Sequence, residues 1–327
     1  MNINKLLKYF WSYPNPETSR ASWAVKENLV LKGKLKEAEE NPGMGLALLS
    51  TELAMKVFGK TASRKKVEGC ISWAASRYPV EQPVNTSAPE FSQRLAFGIV
   101  QLRAGSVLPS FNSFMESAFN ISENGWFLDE CTKKTSVFTV LYAAEILDLY
   151  APKVLETKKK GVYIGRKESV LSWLYAQNRG MWGTGGIFPG AELLDKLVTS
   201  AWIMVRLTNF AALPQTKWPI LLQETMINML DGAAKSETWL GVDPALRFRI
   251  EARVAAAASM FIQKYTGHHS IDFAEKYLDD WKVRREANDL DESKYDLATV
   301  IAVLQGLLPY KEMASLPVVS SLVSYTD

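Results

Sequence analysis

Residues 168–183 read ESVLSWLYAQNRGMWG, and residues 199–207 read TSAWIMVRL. The first stretch is an amphipathic helix ended by a polar turn that closes on Trp182. The second is apolar nearly all round, the mark of a helix buried on most sides. The same order stands on either side of it. FNSFMESAFNISENGWF (111–127) precedes TSVFTVLYAAEIL (135–147), and ETMINMLDGAAKSETWL (224–240) precedes RIEARVAAAASMF (249–261). The turn tryptophans Trp126, Trp182 and Trp239 are 56 and 57 residues apart. A weaker copy, VEGCISWAASRYP (67–79) followed by FSQRLAFGIVQL (91–102), repeats the Ile/Leu-Ser-Trp step at Trp73 and Trp173.

Working outward, apolar helices are expected over Met44–Phe58, Phe91–Leu102, Thr135–Leu149, Val198–Phe210, Ile250–Ile262 and Leu297–Leu308. In the first, Leu46, Leu49, Leu53 and Val57 fall at spacings of three and four. No alternating strand of useful length occurs, and GVYIG (161–165) reads as a loop with at most a brief extension. The fold class is all-α: about six helix pairs, each an amphipathic helix followed by an apolar one. Such units cannot bury their faces alone. A closed ring of inner apolar helices wrapped by outer amphipathic ones, an (α/α) toroid, is the expected architecture. The open solenoid would need polar caps at both ends. The domains are an N-terminal helical, aromatic arm (1–43) and the toroid (44–327). Tyr9, Phe10, Trp11 and Tyr13 beside Pro14 and Pro16 make the arm a docking segment or a plug folded onto the ring.

The composition sets bounds. The 327 residues (36.6 kDa) are 47% hydrophobic and 22% charged, which excludes a disordered chain and a disulfide scaffold. Lys and Arg number 38 against 35 Asp and Glu, a net charge of +3. Nucleic acid is not argued by that balance and would need the basic segments to converge on one face. Two cysteines, Cys70 and Cys131, read as free thiols in a reducing compartment. The N-terminal apolar patch is broken by Lys8 and Pro14, unlike a signal peptide. Val137–Leu147 contains Glu145 and is too short to span a bilayer. A soluble, cytoplasmic protein with no membrane span is expected.

The run Trp173-Leu174-Tyr175-Ala176-Gln177-Asn178-Arg179-Gly180-Met181-Trp182-Gly183 resembles the QW repeat of squalene-hopene cyclases and related prenyltransferase-type proteins. The resemblance implies an (α/α) toroid, with the Gln capping neighbouring helix ends and stacking under the turn Trp. It covers about 200 residues, mostly by pattern. Trp126 and Trp239 keep the Trp without the Gln.

The chemistry of that family is incomplete here. Class II terpene cyclases protonate through DxDD, and the nearest match is Asp289-Leu290-Asp291-Glu292, inside a polar run. The zinc prenyltransferases use Asp-x-Cys and a later His. Asp129-Glu130-Cys131 has that spacing, but His268 and His269 follow roughly 140 residues on. Gly183-Thr184-Gly185-Gly186 reads as a turn rather than a phosphate cradle. Core packing explains the ten tryptophans better than carbocation stabilisation does. Lys158-Lys159-Lys160 with Arg166 and Lys167, Lys32 with Lys34 and Lys36, and Arg64-Lys65-Lys66 read as solvated positive connections. Arg247, Arg249 and Arg253 are the candidate binding residues, because they open a helix expected to face inward and Arg249 and Arg253 share a face.

The missing motifs favour a non-catalytic toroidal binding or scaffold subunit that recognises a protein partner, in a multi-subunit assembly, or an anionic ligand at the ring mouth. No cofactor, metal or catalytic residue is expected. The alternative is a degenerate terpenoid cyclase or prenyltransferase-like enzyme acting on an isoprenoid. The discriminator is the centre: a deep aromatic-lined chamber for the enzyme, a filled one for the scaffold.

Overall fold

The computed structural model describes residues 2–14, 23, 43–77, 90–119, 137–184, 188, 190–211, 213, 217–265, 270–286 and 296–324. Among them the regular structure is helical, with no strand. Six helices carry the apolar sequences: α2 (Gly43–Val57), α4 (Glu90–Ala104), α6 (Val137–Tyr150), α8 (Glu192–Leu207), α10 (Pro244–Lys264) and α12 (Leu297–Leu307). The flanking helices are α1 (Ile3–Ser12), α3 (Lys60–Arg77), α5 (Phe111–Ala118), α7 (Thr157–Gln177), α9 (Trp218–Ala234) and α11 (Ser270–Glu286). The short α13 (Tyr310–Ala314) and α14 (Pro317–Ser324) complete the set. Membrane-spanning length and hydropathy are reached by none of the described helices.

The expected apolar helices are all present. Two extend further toward the N-terminus than periodicity suggests. α8 begins at Glu192, where Glu192 and Asp195 oppose the positive end of the helix dipole. α10 begins at Pro244, behind Asp243, whose side chain accepts from the amides of Ala245 and Leu246. The GVYIG segment is a correction. It lies inside α7, where tertiary packing overrides two glycines: Tyr163 is buried, edge-on to Phe119 and Tyr150.

The apolar helices pack in chain order, α2 on α4, α4 on α6, α6 on α8, α8 on α10 and α10 on α12, and α12 packs on α2. α3 lies on α2 and α4, α7 on α6, α9 on α8 and α10, and α11 on α9, α10 and α12. The apolar helices run the same way, because like ends meet. At one end the amide of Met44 donates to Gln93, and Arg249 pairs with Asp296. At the other, Lys56 donates to Asn209, Lys264 donates to the carbonyl of Phe210, and Arg103 pairs with Glu145. Parallel helices bring their negative dipole ends together. The sequence answers with Lys56, Arg103, Arg206 and Lys264 in the last turns of α2, α4, α8 and α10.

Part of the N-terminal arm is described. α1 buries Leu6, Leu7, Phe10 and Trp11 and packs on α12 and α14. Trp11 stacks on Phe58 at 4.2 Å, and Trp23, fully buried, stacks on Phe10 at 5.2 Å. Those aromatic faces are spent inside the molecule, and the packing of α1 on α14 brings the N-terminal and C-terminal helices together.

Candidate functional site

Where the apolar helices finish, their packed ends hold charge. Arg206 is 0% exposed, yet it reaches from α8 to two other helices. Its Nη1 donates to Glu52 Oε2 on α2 at 2.6 Å, and its Nε donates to Glu145 Oε2 on α6 at 3.0 Å. Nη2 closes the fork on Glu145 Oε1. Arg103, from α4, donates to the same Oε1 at 2.7 Å. Lys56 bonds Glu52 at 3.0 Å, Asn209 at 3.2 Å, and lies 4.6 Å over the ring of Tyr310. Tyr310 Oη in turn accepts from Gln305 on α12 at 2.7 Å. Five of the six apolar helices are tied this way.

Burial alone pushes the Glu52 carboxyl up. Arg206, Lys56 and Arg103 outweigh it and hold the group at about 2, below the usual 4.5. Burial likewise opposes the Arg206 charge, and Glu145 and Glu52 carry its pKa further up instead. The phenols of Tyr142 and Tyr310 are pushed up by burial. The cluster is thus charged and internally paired, a structural clasp rather than an acid poised to give a proton.

Beside the clasp runs a narrow hollow of about 20 Å³, bounded by Leu49, Trp202, Arg253, Ala256, Ala302 and Gln305 among others. A single water needs ~10–15 Å³, so this space fits one water or little more. Around it the helices touch through small residues. A Cβ on Gly306 would lie 3.0 Å from Ala255 Cβ, and one on Gly45 would lie 3.1 Å from Tyr142 Oη.

The three candidate arginines point to different places. Arg253 lines the hollow. Arg249 pairs with Asp296, the N-cap of α12, at 3.3 Å. Arg247 pairs with the buried Glu251 at 2.9 Å and lies 5.2 Å over Trp239, while Arg284 of α11 reaches the same Glu251 oxygen at 3.3 Å. Arg249 and Arg253 do face α12 together. Arg247 belongs to the α10–α11 seam.

The turn after α7 explains its tryptophan. Trp182 is fully buried, and its indole N–H donates to the Leu174 carbonyl at 2.8 Å, answering a carbonyl in the last turns of α7. Trp239 repeats this on Ala233 at 3.0 Å. Gln177 is exposed, and the tie to the neighbouring helix comes from Asn178, bonded to Thr225 of α9 at 2.9 Å. In the glycine-rich turn, Asp195 accepts from the Thr184 amide (2.7 Å) and hydroxyl (2.8 Å). A carboxylate of the chain itself stands where a phosphate would bind.

Trp126, Asp129, Cys131, His268, His269, Asp289, Asp291, Gly185, Gly186, Lys32, Lys34 and Lys36 lie outside the described residues. Among the described residues no group of three or more His, Cys, Asp or Glu is gathered as a metal site. Cys70 is buried, and burial pushes its thiol up to about 12. Compared with known protein families, curated proteins and solved structures, the chain matches none of them.

Proposed function

We propose that the chain is a closed (α/α) toroid resembling the terpenoid cyclase and prenyltransferase-type rings, and that it works as a non-catalytic binding or scaffold subunit. The cyclic order of helix contacts, the common helix direction and the repeated tryptophan turn support the ring. One observation carries the functional reading: among the described residues, the hollow that Leu49, Trp202, Arg253 and Ala302 bound between the apolar helices holds only about 20 Å³. The Arg206 clasp ties the C-terminal ends of these helices, and α10 meets α12 through Ala255 and Gly306. Chambers that hold small molecules run to roughly 300–1,000 Å³. Such a ring leaves rims and outer helices as the working surfaces, with Arg249 and Arg253 on the side of α10 that faces α12.

Calorimetric titration of the purified chain with farnesyl diphosphate, with and without zinc, tests this. The expected heat is that of dilution alone. Saturable binding at one site would move the chain to the enzyme reading and make Asp129 and Cys131 the first targets for substitution.

A further inference from the structure

Charge is not spread evenly along this chain. Residues 53–67, from the end of α2 into α3, hold five basic residues and no acid. Residues 149–163, from the end of α6 into α7, hold four basic residues and one acid. Lys56 belongs to the clasp, where Glu52 pairs it, which leaves eight basic residues against one acid in the two stretches. Because the apolar helices run parallel, both stretches lie at the same end of the molecule, where α2, α4 and α6 finish. The Lys153 ammonium reaches the Leu102 carbonyl at 3.5 Å, which ties the α6–α7 connection to the end of α4.

The apolar residues at this end are the second observation. Leu155 stands in the α6–α7 connection, between Lys153 and Lys158, and is 98% exposed. Val107, in the adjoining α4–α5 turn, is 43% exposed. Local hydrogen bonds hold Leu155 outward: the Val154 amide donates to the Ala151 carbonyl, and the Lys160 amide donates to the Glu156 carbonyl as α7 begins. Glu116 and Glu156 neutralise Lys159, and Glu68 neutralises Arg64. Lys153, Lys158 and Lys160 flank Leu155 in sequence, and Lys60 and Lys65 begin α3 at the same end of the molecule.

We propose that this face docks on an anionic lipid surface. Eight of the nine cations in the two stretches are lysines. Lysine is a hydrated point charge suited to diffuse attraction, whereas reading nucleic acid favours the bidentate fork of arginine. An aliphatic side chain presented to solvent among lysines gains by entering the boundary between headgroups and acyl chains, and a nucleic acid offers it nothing comparable. Each lysine near such a surface strengthens binding about fivefold, and the attraction fades within a Debye length. This inference rests on the direction of the helices and stands whether or not the chain is a scaffold.

Co-sedimentation with phosphatidylcholine vesicles, with and without phosphatidylserine, tests it on the full chain. Binding is expected only to the phosphatidylserine vesicles, weakening as salt rises. Lys158→Glu with Lys160→Glu should lower it at least tenfold with an unchanged thermal melt, and Leu155→Ser should lower it by a smaller factor. If the first pair fails to fold, Lys60→Glu with Lys65→Glu serves the same purpose. Equal binding to both vesicles, binding to neither, or full binding by the charge-reversed variants overturns the proposal. So does retention on single-stranded RNA without retention on vesicles.

Discussion

At the residue scale the molecule turns on Arg206. A guanidinium with no exposed surface is tolerated because Glu145 takes its Nε and Nη2 as a fork and Glu52 takes its Nη1, while Arg103 shares the Glu145 oxygen. Removing one partner strands the others. Arg206→Met is expected to cost about 3–5 kcal/mol in urea unfolding. Glu52 gives the clasp a pH signature. Its folded pKa, about 2, lies below its unfolded value, so its stabilisation is complete above pH 4.5 and is lost as pH falls from 4.5 toward 2. Urea midpoints should decline across that window, and Glu52→Gln should flatten the decline while lowering stability near neutrality. Cys70, with its thiol pushed up to about 12, should resist iodoacetamide at pH 8 until the protein is denatured. The clasp left a trace in the sequence: Glu145 interrupts an apolar run, and Arg206 sits in a helix expected to be buried on most sides. A charge in such a place must find a partner, yet no local spacing says which. Glu52, Glu145 and Arg206 come from helices 61 and 154 residues apart, and only the fold joins them.

At the element scale the repeated tryptophans act as caps. Trp182 and Trp239 each return an indole N–H to a carbonyl near the end of the preceding helix, which solvent cannot reach in that turn. Trp182→Phe removes the donor and leaves that carbonyl buried, an expected loss of about 1–3 kcal/mol by chemical denaturation. Helix contact is the second device. Gly306 lets α12 approach α10 to within reach of Ala255, and Gly306→Val should cost about 1–3 kcal/mol through overpacking. The apolar helices were legible because burial on most sides imposes long apolar runs. The start of α8 was not, because its first turn mixes Glu192 and Asp195 with two leucines and is fixed by the Thr184–Asp195 bonds. GVYIG misled for the opposite reason: two glycines weaken helix propensity, and the buried Tyr163 supplies what propensity lacks.

At the scale of the whole molecule, the proposal is a ring closed by α12 against α2, with α1 laid on α12 and α14. The meeting of the 53–67 and 149–163 basic stretches at one end follows from helix direction, which no single stretch of sequence displays. Of the arginines read as candidate binding residues, Arg249 and Arg253 face α12 and Arg247 joins α10 to α11 through Glu251. Native mass spectrometry of the protein purified gently from its own host, with metal analysis on the same sample, tests the central claim most directly. The expected result is a stoichiometric protein subunit bound to the chain, with neither zinc nor a lipid-sized adduct on the isolated chain. A bound zinc, or an isoprenoid-sized mass retained by the chain alone, would contradict the filled ring and return the chain to the enzymes its tryptophan turn resembles.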